Sequence, residues 1–189
     1  MSKTLFERTL GTSKLISAVA ALGMFVSLGA DLTFAANVHF KSRSLVFTDQ
    51  GLSLNAQGAL AGLGNQDIVL LLTAEADVTS TCTNPAGNTQ PPGHNPAPIT
   101  VSGSQAIPAG SIKNGSVKFS VSTTAPPSTI AGAPDCPNAQ WTETISDLSF
   151  TSATLTVQQP PGTTVLSASC TFSPHTANGA VPGGTVTCH

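Results

Sequence analysis

Apolar residues recur at every second position over residues 68–82, the longest regular pattern in the chain. On the opposite face, Val69 and Leu71 give way to threonines and acids. This period of two predicts a β-strand that begins buried on both faces and ends with one face in water. A helix is the competing interpretation, but the β-branched Val78, Thr79 and Thr81 disfavour it. The predicted inward row contains Ile68, Leu70, Leu72, Ala74, Ala76, Val78, Ser80 and Cys82.

Shorter β-prone segments follow one another with turn residues every 8–15 positions. Asp147 is predicted to turn the chain, and Pro160-Pro161-Gly162 is a strong turn signal. Eight or nine short strands predict an all-β fold, an antiparallel β-sandwich that is Ig-like or related, with a barrel as the alternative. Besides the long strand, the predicted strands cover residues 44–48, 52–60, 99–102, 117–121, 141–145, 150–157, 165–172 and 184–188.

The first 35 residues do not resemble part of a fold. Lys3, Arg8 and Lys14 precede an uncharged apolar run over residues 15–28, and Thr33-Phe34-Ala35 supplies small residues for cleavage. This order is typical of a secretory signal peptide. The alternative, a membrane anchor, needs a span of about 20 residues, longer than this run. We therefore expect a signal peptide over residues 1–35, a single secreted β-sandwich domain over residues 36–189, and no membrane span after cleavage.

All four cysteines, Cys82, Cys136, Cys170 and Cys188, lie in the predicted mature chain. An even number of cysteines in an exported chain predicts two disulfides. Three pairings are open, and we favour Cys82–Cys136 with Cys170–Cys188 because the second pair would close a local hairpin. Free thiols or a metal site are the alternatives, but the chain has no CxxC pair.

Charge is scarce after residue 35, where four cations face seven anions for a net charge of −3. The cations are Lys41, Arg43, Lys113 and Lys118, and they form no basic stripe. Nucleic acid is therefore not an expected partner, because its binding depends on clustered lysine and arginine. Anionic membrane surfaces are disfavoured for the same reason.

Residues 83–98 form a proline-, asparagine- and glycine-rich segment in which no β-ladder is expected, because proline lacks the N–H donor. Loops of this length are usually functional or mobile. Proline stiffening reduces the entropy lost on binding. The segment is thus a candidate recognition loop, with a rigid solvated connection as the alternative. Its candidate binding residues are Asn84, Asn88, His94 and Asn95.

Glu75 and Asp77 share one strand face, and Glu143 is expected on a neighbouring strand. Such a trio is a weak candidate for calcium binding or for carboxylate catalysis. Solvated acids that discourage edge pairing are the default interpretation. The four histidines lie near chain ends or in loops, without a nucleophile motif. We therefore expect no enzyme activity and no cofactor.

Trp141 is the only tryptophan, five residues after Cys136. It is predicted to be a core residue beside a disulfide, with a carbohydrate-stacking platform as the alternative.

Two stretches resemble a group of uncharacterised exported bacterial proteins. One runs from AGLGN at residues 61–65 through LTA at 72–74 and TCTNP at 81–85 to GHNP at 93–96, and the other from LSF at 148–150 to CTF at 170–172. The resemblance implies export from a bacterium and no assigned activity.

The sequence thus predicts a non-enzymatic β-domain, secreted or at the cell surface, with a structural or interaction role. A carbohydrate-binding module using residues 83–98 and a small secreted hydrolase are the alternatives, and self-assembly through sheet edges is a fourth hypothesis. A glycan or another surface protein is the expected kind of partner.

Overall fold

The computed structural model describes residues 37–42 and 44–189, so the predicted signal peptide lies outside the described residues. The described chain is all-β, with two antiparallel sheets and two 3-10 turns at Ala109–Ser111 and Gly183–Thr185. The strands are β1 His39–Phe40, β2 Val46–Asp49, β3 Leu54–Ala61, β4 Ile68–Thr83, β5 Thr89–Gln90, β6 Ile99–Ile107, β7 Val117–Ser122, β8 Thr129–Ile130, β9 Thr142–Gln158, β10 Thr164–Phe172, β11 Gly179–Ala180 and β12 Val186–Cys188.

The small sheet is built around β3. Strands β1 and β2 pair along one edge of β3, β7 pairs along the other, and β11 extends the sheet beyond β2. In the large sheet the order is β12-β10-β9-β4, with β6 on the remaining edge of β4 and the two-residue strands β5 and β8 at its far end. Across residues 37–42 and 44–189 the sheets are not closed into a barrel, so the sandwich prediction is confirmed.

Strands β4 and β9 form the centre of the large sheet, paired from Val69–Gln158 to Thr83–Thr142. All eight residues of the predicted inward row of β4 are buried. The predicted turn at Asp147 is wrong, because β9 runs through that position as one 17-residue strand. Two register shifts opposite β4 accommodate the local irregularity, one near Ser146 and one near Thr151. Pairing with the long β4 thus outweighs the local turn signal.

The core lies between the sheets and contains side chains from both inner faces. Leu54, Leu60 and Val121 come from the small sheet, and Leu72 and Phe150 from the large sheet. Phe47 and Phe172 meet edge to face across the sandwich, with ring centroids 5.2 Å apart. Trp141 is not part of this core; it is only half-buried. The prediction of a core tryptophan is therefore wrong, because residue 141 precedes β9 in a turn and not on its inward row.

At one corner the edges of the two sheets touch. Thr124 N–H donates to the carbonyl of Ser102 at 2.9 Å, and β6 passes directly against β7 at Gly103. A Cβ atom on Gly103 would lie 1.9 Å from the Ser122 carbonyl oxygen. Only glycine therefore permits this close approach of the two backbones.

Both predicted disulfides are present. Cys82 is joined to Cys136 and Cys170 to Cys188, with 54 and 18 residues of sequence separation. The second bridge closes the predicted final hairpin, in which Cys170 and Cys188 are register partners. Two disulfides indicate an oxidising, non-cytoplasmic environment. Among the described residues there is no helix of the length and hydrophobicity needed to cross a membrane.

Candidate functional site

The large sheet extends beyond β6 at the end that carries Cys82. Here β4 and β9 continue as a ladder flanked by the short strands β5 and β8. We call this region, residues 77–98 and 124–147, the distal end. Its two proline-rich loops are residues 84–98 and 124–141, and they surround the Cys82–Cys136 disulfide.

The backbone of Asp135 joins the two loops, and the disulfide ties the second loop to β4. Gly93 N–H in the first loop donates to the Asp135 carbonyl in the second at 2.8 Å. The N–H of Asp135 in turn donates to Glu143 Oε2 at 3.3 Å. The backbone N–H and C=O of Asp135 thus link both loops to β9, directly beside Cys136.

Glu143 is a fully buried carboxylate that organises this junction. It is the register partner of Cys82, so it lies on the inner face of the sheet beneath the disulfide. Its Oε1 accepts a hydrogen bond from the Ser80 hydroxyl at 2.8 Å. Both side-chain oxygens therefore accept hydrogen bonds, as buried polar groups generally require.

Replacing Glu143 with alanine should destabilise the distal end by about 1–3 kcal/mol, because the Ser80 hydroxyl and the Asp135 N–H both lose their acceptor. Chemical denaturation would measure the loss, and hydrogen exchange should show it as faster exchange in residues 131–137. Glu75→Ala, on the exposed face of β4, is the matched control and should change stability by less than about 0.5 kcal/mol. Equal effects from both variants would refute the structural role of Glu143.

The four candidate binding residues of the first loop divide into two groups. Asn84 has a local structural role, because its Oδ1 accepts N–H bonds from Ala86 and Asn88 at 2.9 and 2.8 Å. Asn88 is exposed on the same turn, whereas His94 and Asn95 line a cleft against β4. The expectation that no ladder forms in residues 83–98 is wrong at Thr89–Gln90, a proline-free pair that bonds the end of β4.

The cleft that His94 and Asn95 line lies along an uncovered stretch of the β4 edge, and we call it the edge cleft. The β6 ladder ends at Ala76 and the β5 ladder begins at Cys82, so no strand pairs with residues 77–81 on that side in the described chain. The cleft has a volume of about 220 Å³. Its lining residues are Val78, Thr79, Ser80, Pro91, Pro92, His94, Asn95 and Pro96.

The candidate acid trio does not come together. Glu75 and Asp77 project from the outer face of β4, whereas Glu143 lies on the inner face and pairs with Cys82. Two carboxylates on opposite faces of a sheet cannot serve one substrate or one calcium ion. No group of three metal-ligating side chains occurs within the residues that the structure describes.

Sequence reasoning missed two contacts made by the segment between β10 and β12. His175 Nδ1 lies 2.9 Å from Asp77 Oδ2, and both side chains are about half exposed. An exposed pair of this kind contributes little to stability. One residue further on, Thr176 is buried and joins the two sheets, because its Oγ1 donates to Asp49 of β2 and accepts the Phe150 N–H of β9. The His175–Asp77 and Thr176–Asp49 contacts join residues 98 and 127 positions apart, so no short sequence pattern indicates them.

Asp49 is a second buried carboxyl, 3 % exposed, at this junction. Burial raises its pKa above the ordinary value of 3.8, and the nearby charge of Asp147 raises it further. Hydrogen bonds from Thr176 and from the Gly51 N–H act in the opposite direction without cancelling the rise. A carboxyl with a raised folded-state pKa contributes stability below its unfolded pKa, and that contribution is lost as the pH rises through the folded pKa.

Asp49→Asn should therefore alter the pH dependence of stability. The free energy of unfolding of the wild type relative to Asp49→Asn should be largest below about pH 4 and should fall between there and neutral pH. Denaturant midpoints of both proteins across this range would measure it. Asp147→Asn, which removes the neighbouring charge, should move the fall to lower pH. A wild-type advantage that grows towards neutral pH would contradict the assigned direction.

Comparisons with known proteins give no assignment. The chain matches no protein-family model, and no curated protein or solved structure is significantly similar to it.

Proposed function

We propose that this protein is a secreted, non-enzymatic interaction domain that acts at or outside the cell surface through its distal end. Export through the predicted signal peptide would bring residues 36–189 to an oxidising compartment. The Cys82–Cys136 and Cys170–Cys188 disulfides support such a location.

The observation that carries this proposal is the preorganisation of the distal end. Two loops rich in proline and amides are tied to each other and to β9 through the Asp135 backbone, and the second loop is tied to β4 through Cys136. Loops held rigidly on a scaffold lose little conformational entropy when they bind a partner.

The chemistry of the same region supports binding over catalysis. Its buried carboxylate, Glu143, has both oxygens engaged by Ser80 and Asp135. The exposed side chains of the loops are mainly amides, hydroxyls and prolines. These groups suit adaptable hydrogen bonding. Among the described residues no histidine is hydrogen-bonded to a hydroxyl, which is the arrangement that activates a serine or threonine nucleophile.

The test is binding of the purified, oxidised protein to the surface and extracellular material of the cells that produce it. A fluorescently labelled chain should be retained, and replacing residues 91–96 with a glycine–serine segment of equal length should abolish retention. Val46→Ala, on the outer face of the small sheet, and Thr163→Ala, in the opposite turn, should bind as the wild type does. Circular dichroism and intact mass would verify the fold and the disulfides of each variant.

Two results would overturn the proposal. One is retention that is unchanged by replacement of residues 91–96. The other is the absence of any retention on cells or on their extracellular material.

A further inference from the structure

We propose that the edge cleft binds one ring of a neutral carbohydrate. This inference rests on the proposed function and names the chemistry of the partner that the distal end would recognise.

Three polar side chains of the cleft are available to a ligand. Among the described residues, no hydrogen-bond partner is found for the side chains of Thr79, His94 and Asn95, and all three are exposed. Together a hydroxyl, an imidazole and a carboxamide offer both donors and acceptors of hydrogen bonds. Sugar hydroxyls have the same dual capacity, so this set matches a polyhydroxylated ring.

The backbone of β4 adds further groups. In an antiparallel strand, alternate residues direct their N–H and C=O groups to opposite neighbours. On the side away from β9, residues 77–81 have no neighbouring strand, so part of this edge faces the cleft. A small ligand can therefore bond side chains and main chain together.

The proline-rich loop disfavours the binding of a peptide strand in the edge cleft. Pro91, Pro92 and Pro96 line the cleft beside the unpaired edge of β4, and proline has no N–H to offer a ladder. An added peptide strand would collide with this segment. Proline-rich ligands usually require an aromatic groove, and no aromatic residue other than His94 lines the cleft.

Charge and size narrow the ligand class. Residues 77–98 and 124–147 contain no lysine or arginine, so phosphates, sulfates and sugar acids find no cation there. The volume of about 220 Å³ is below that of a typical drug-sized pocket, which suits a single ring or one unit of a chain. Apolar carbons of Val78, Pro92 and Pro96 provide the surface against which a ring can pack.

The loop that carries these groups is already fixed. His94 and Asn95 lie between Pro92 and Pro96, and the Gly93 N–H is bonded to the Asp135 carbonyl at 2.8 Å. The cleft is consequently formed before a ligand arrives, which reduces the entropic cost of weak sugar binding.

The experiment is a titration of the oxidised protein, followed by NMR at the His94 ring and the Asn95 side-chain amide. The probes are glucose, galactose, mannose and N-acetylglucosamine with their neutral oligomers, and glucuronate and a proline-rich peptide serve as competitors. At least one neutral sugar should shift both signals in a saturable way. Asn95→Ala should weaken that affinity about three- to tenfold, the range for one neutral hydrogen bond.

Matched variants separate binding from folding. His94 and Asn95 are exposed, so the double variant His94→Ala/Asn95→Ala should fold normally and lose measurable sugar binding. Thr163→Ala at the opposite end should bind as the wild type does. Failure of every neutral sugar to shift the cleft signals at high millimolar concentration would overturn the inference, as would equal binding by the double variant.

The outcomes also distinguish this inference from the proposed function. If glucuronate or the proline-rich peptide binds and neutral sugars do not, the ligand class is wrong. Retention on cells that still depends on residues 91–96 would then leave the interaction role standing. If neither sugar binding nor loop-dependent retention is observed, both the carbohydrate inference and the proposed function are wrong.

Discussion

Replacing Cys82 and Cys136 together with alanine should lower the free energy of unfolding by about 4 kcal/mol, because the bridge closes a 54-residue separation in the unfolded chain. The loss should be concentrated at the distal end, where the bridge joins β4 to the loop that carries Asp135. Denaturant unfolding would measure the total, and hydrogen exchange would show faster exchange in residues 84–98 and 124–141.

The pair Cys170→Ala/Cys188→Ala is the matched control. It opens an 18-residue separation, so it should cost about 3 kcal/mol and should leave exchange in the distal loops unchanged. The structural role of the first bridge would be refuted if both double variants gave the same exchange pattern. It would also be refuted if the distal loops of Cys82→Ala/Cys136→Ala stayed as protected as in the wild type.

Phe150→Ala should cost about 3–5 kcal/mol, the range for truncating a large aromatic side chain in a packed core. Phe150 is fully buried, and its backbone binds Thr176 through two hydrogen bonds beside a β-bulge of β9. The surroundings are therefore fixed and can relax little into the cavity. Urea or thermal unfolding would measure the effect.

Val46→Ala is the control for this prediction, since Val46 is 51 % exposed. Its truncation should change the free energy of unfolding by less than about 0.5 kcal/mol. A loss below about 1 kcal/mol for Phe150→Ala would show that the core around it repacks, contrary to the close-packed interior described above.

The sequence predicted the sandwich well where side chains alternate. The inward row of β4 could be recognised because burial on one face of a strand imposes a period of two. The final hairpin was predictable because Cys170 and Cys188 lie on two β-prone segments separated by one proline- and glycine-containing stretch. Such signals come from residues close together in the sequence, and the structure contains both the predicted inward row and the predicted hairpin.

The candidate site was only partly predictable. The composition of residues 83–98 indicated a loop. The exposed edge of β4 was not indicated, because the gap between the β5 and β6 ladders depends on where those two strands end. The burial of Glu143 was equally hidden, because a lone glutamate in a threonine-rich strand resembles a solvated acid. Its inward direction follows from register with Cys82, which is a tertiary property. The irregularity at Asp147 was misread as a turn because sequence does not distinguish a bulge from a reversal.

The orientation of β4 has a geometric consequence. Strand β1 pairs with Leu60 and Ala61, close to the turn that leads into Ile68 at the start of β4. Cys82 lies at the other end of β4. Sixteen residues of extended chain cover about 50 Å. The chain therefore enters the sandwich at the end opposite the distal loops, and a partner bound at these loops would lie well away from residue 37.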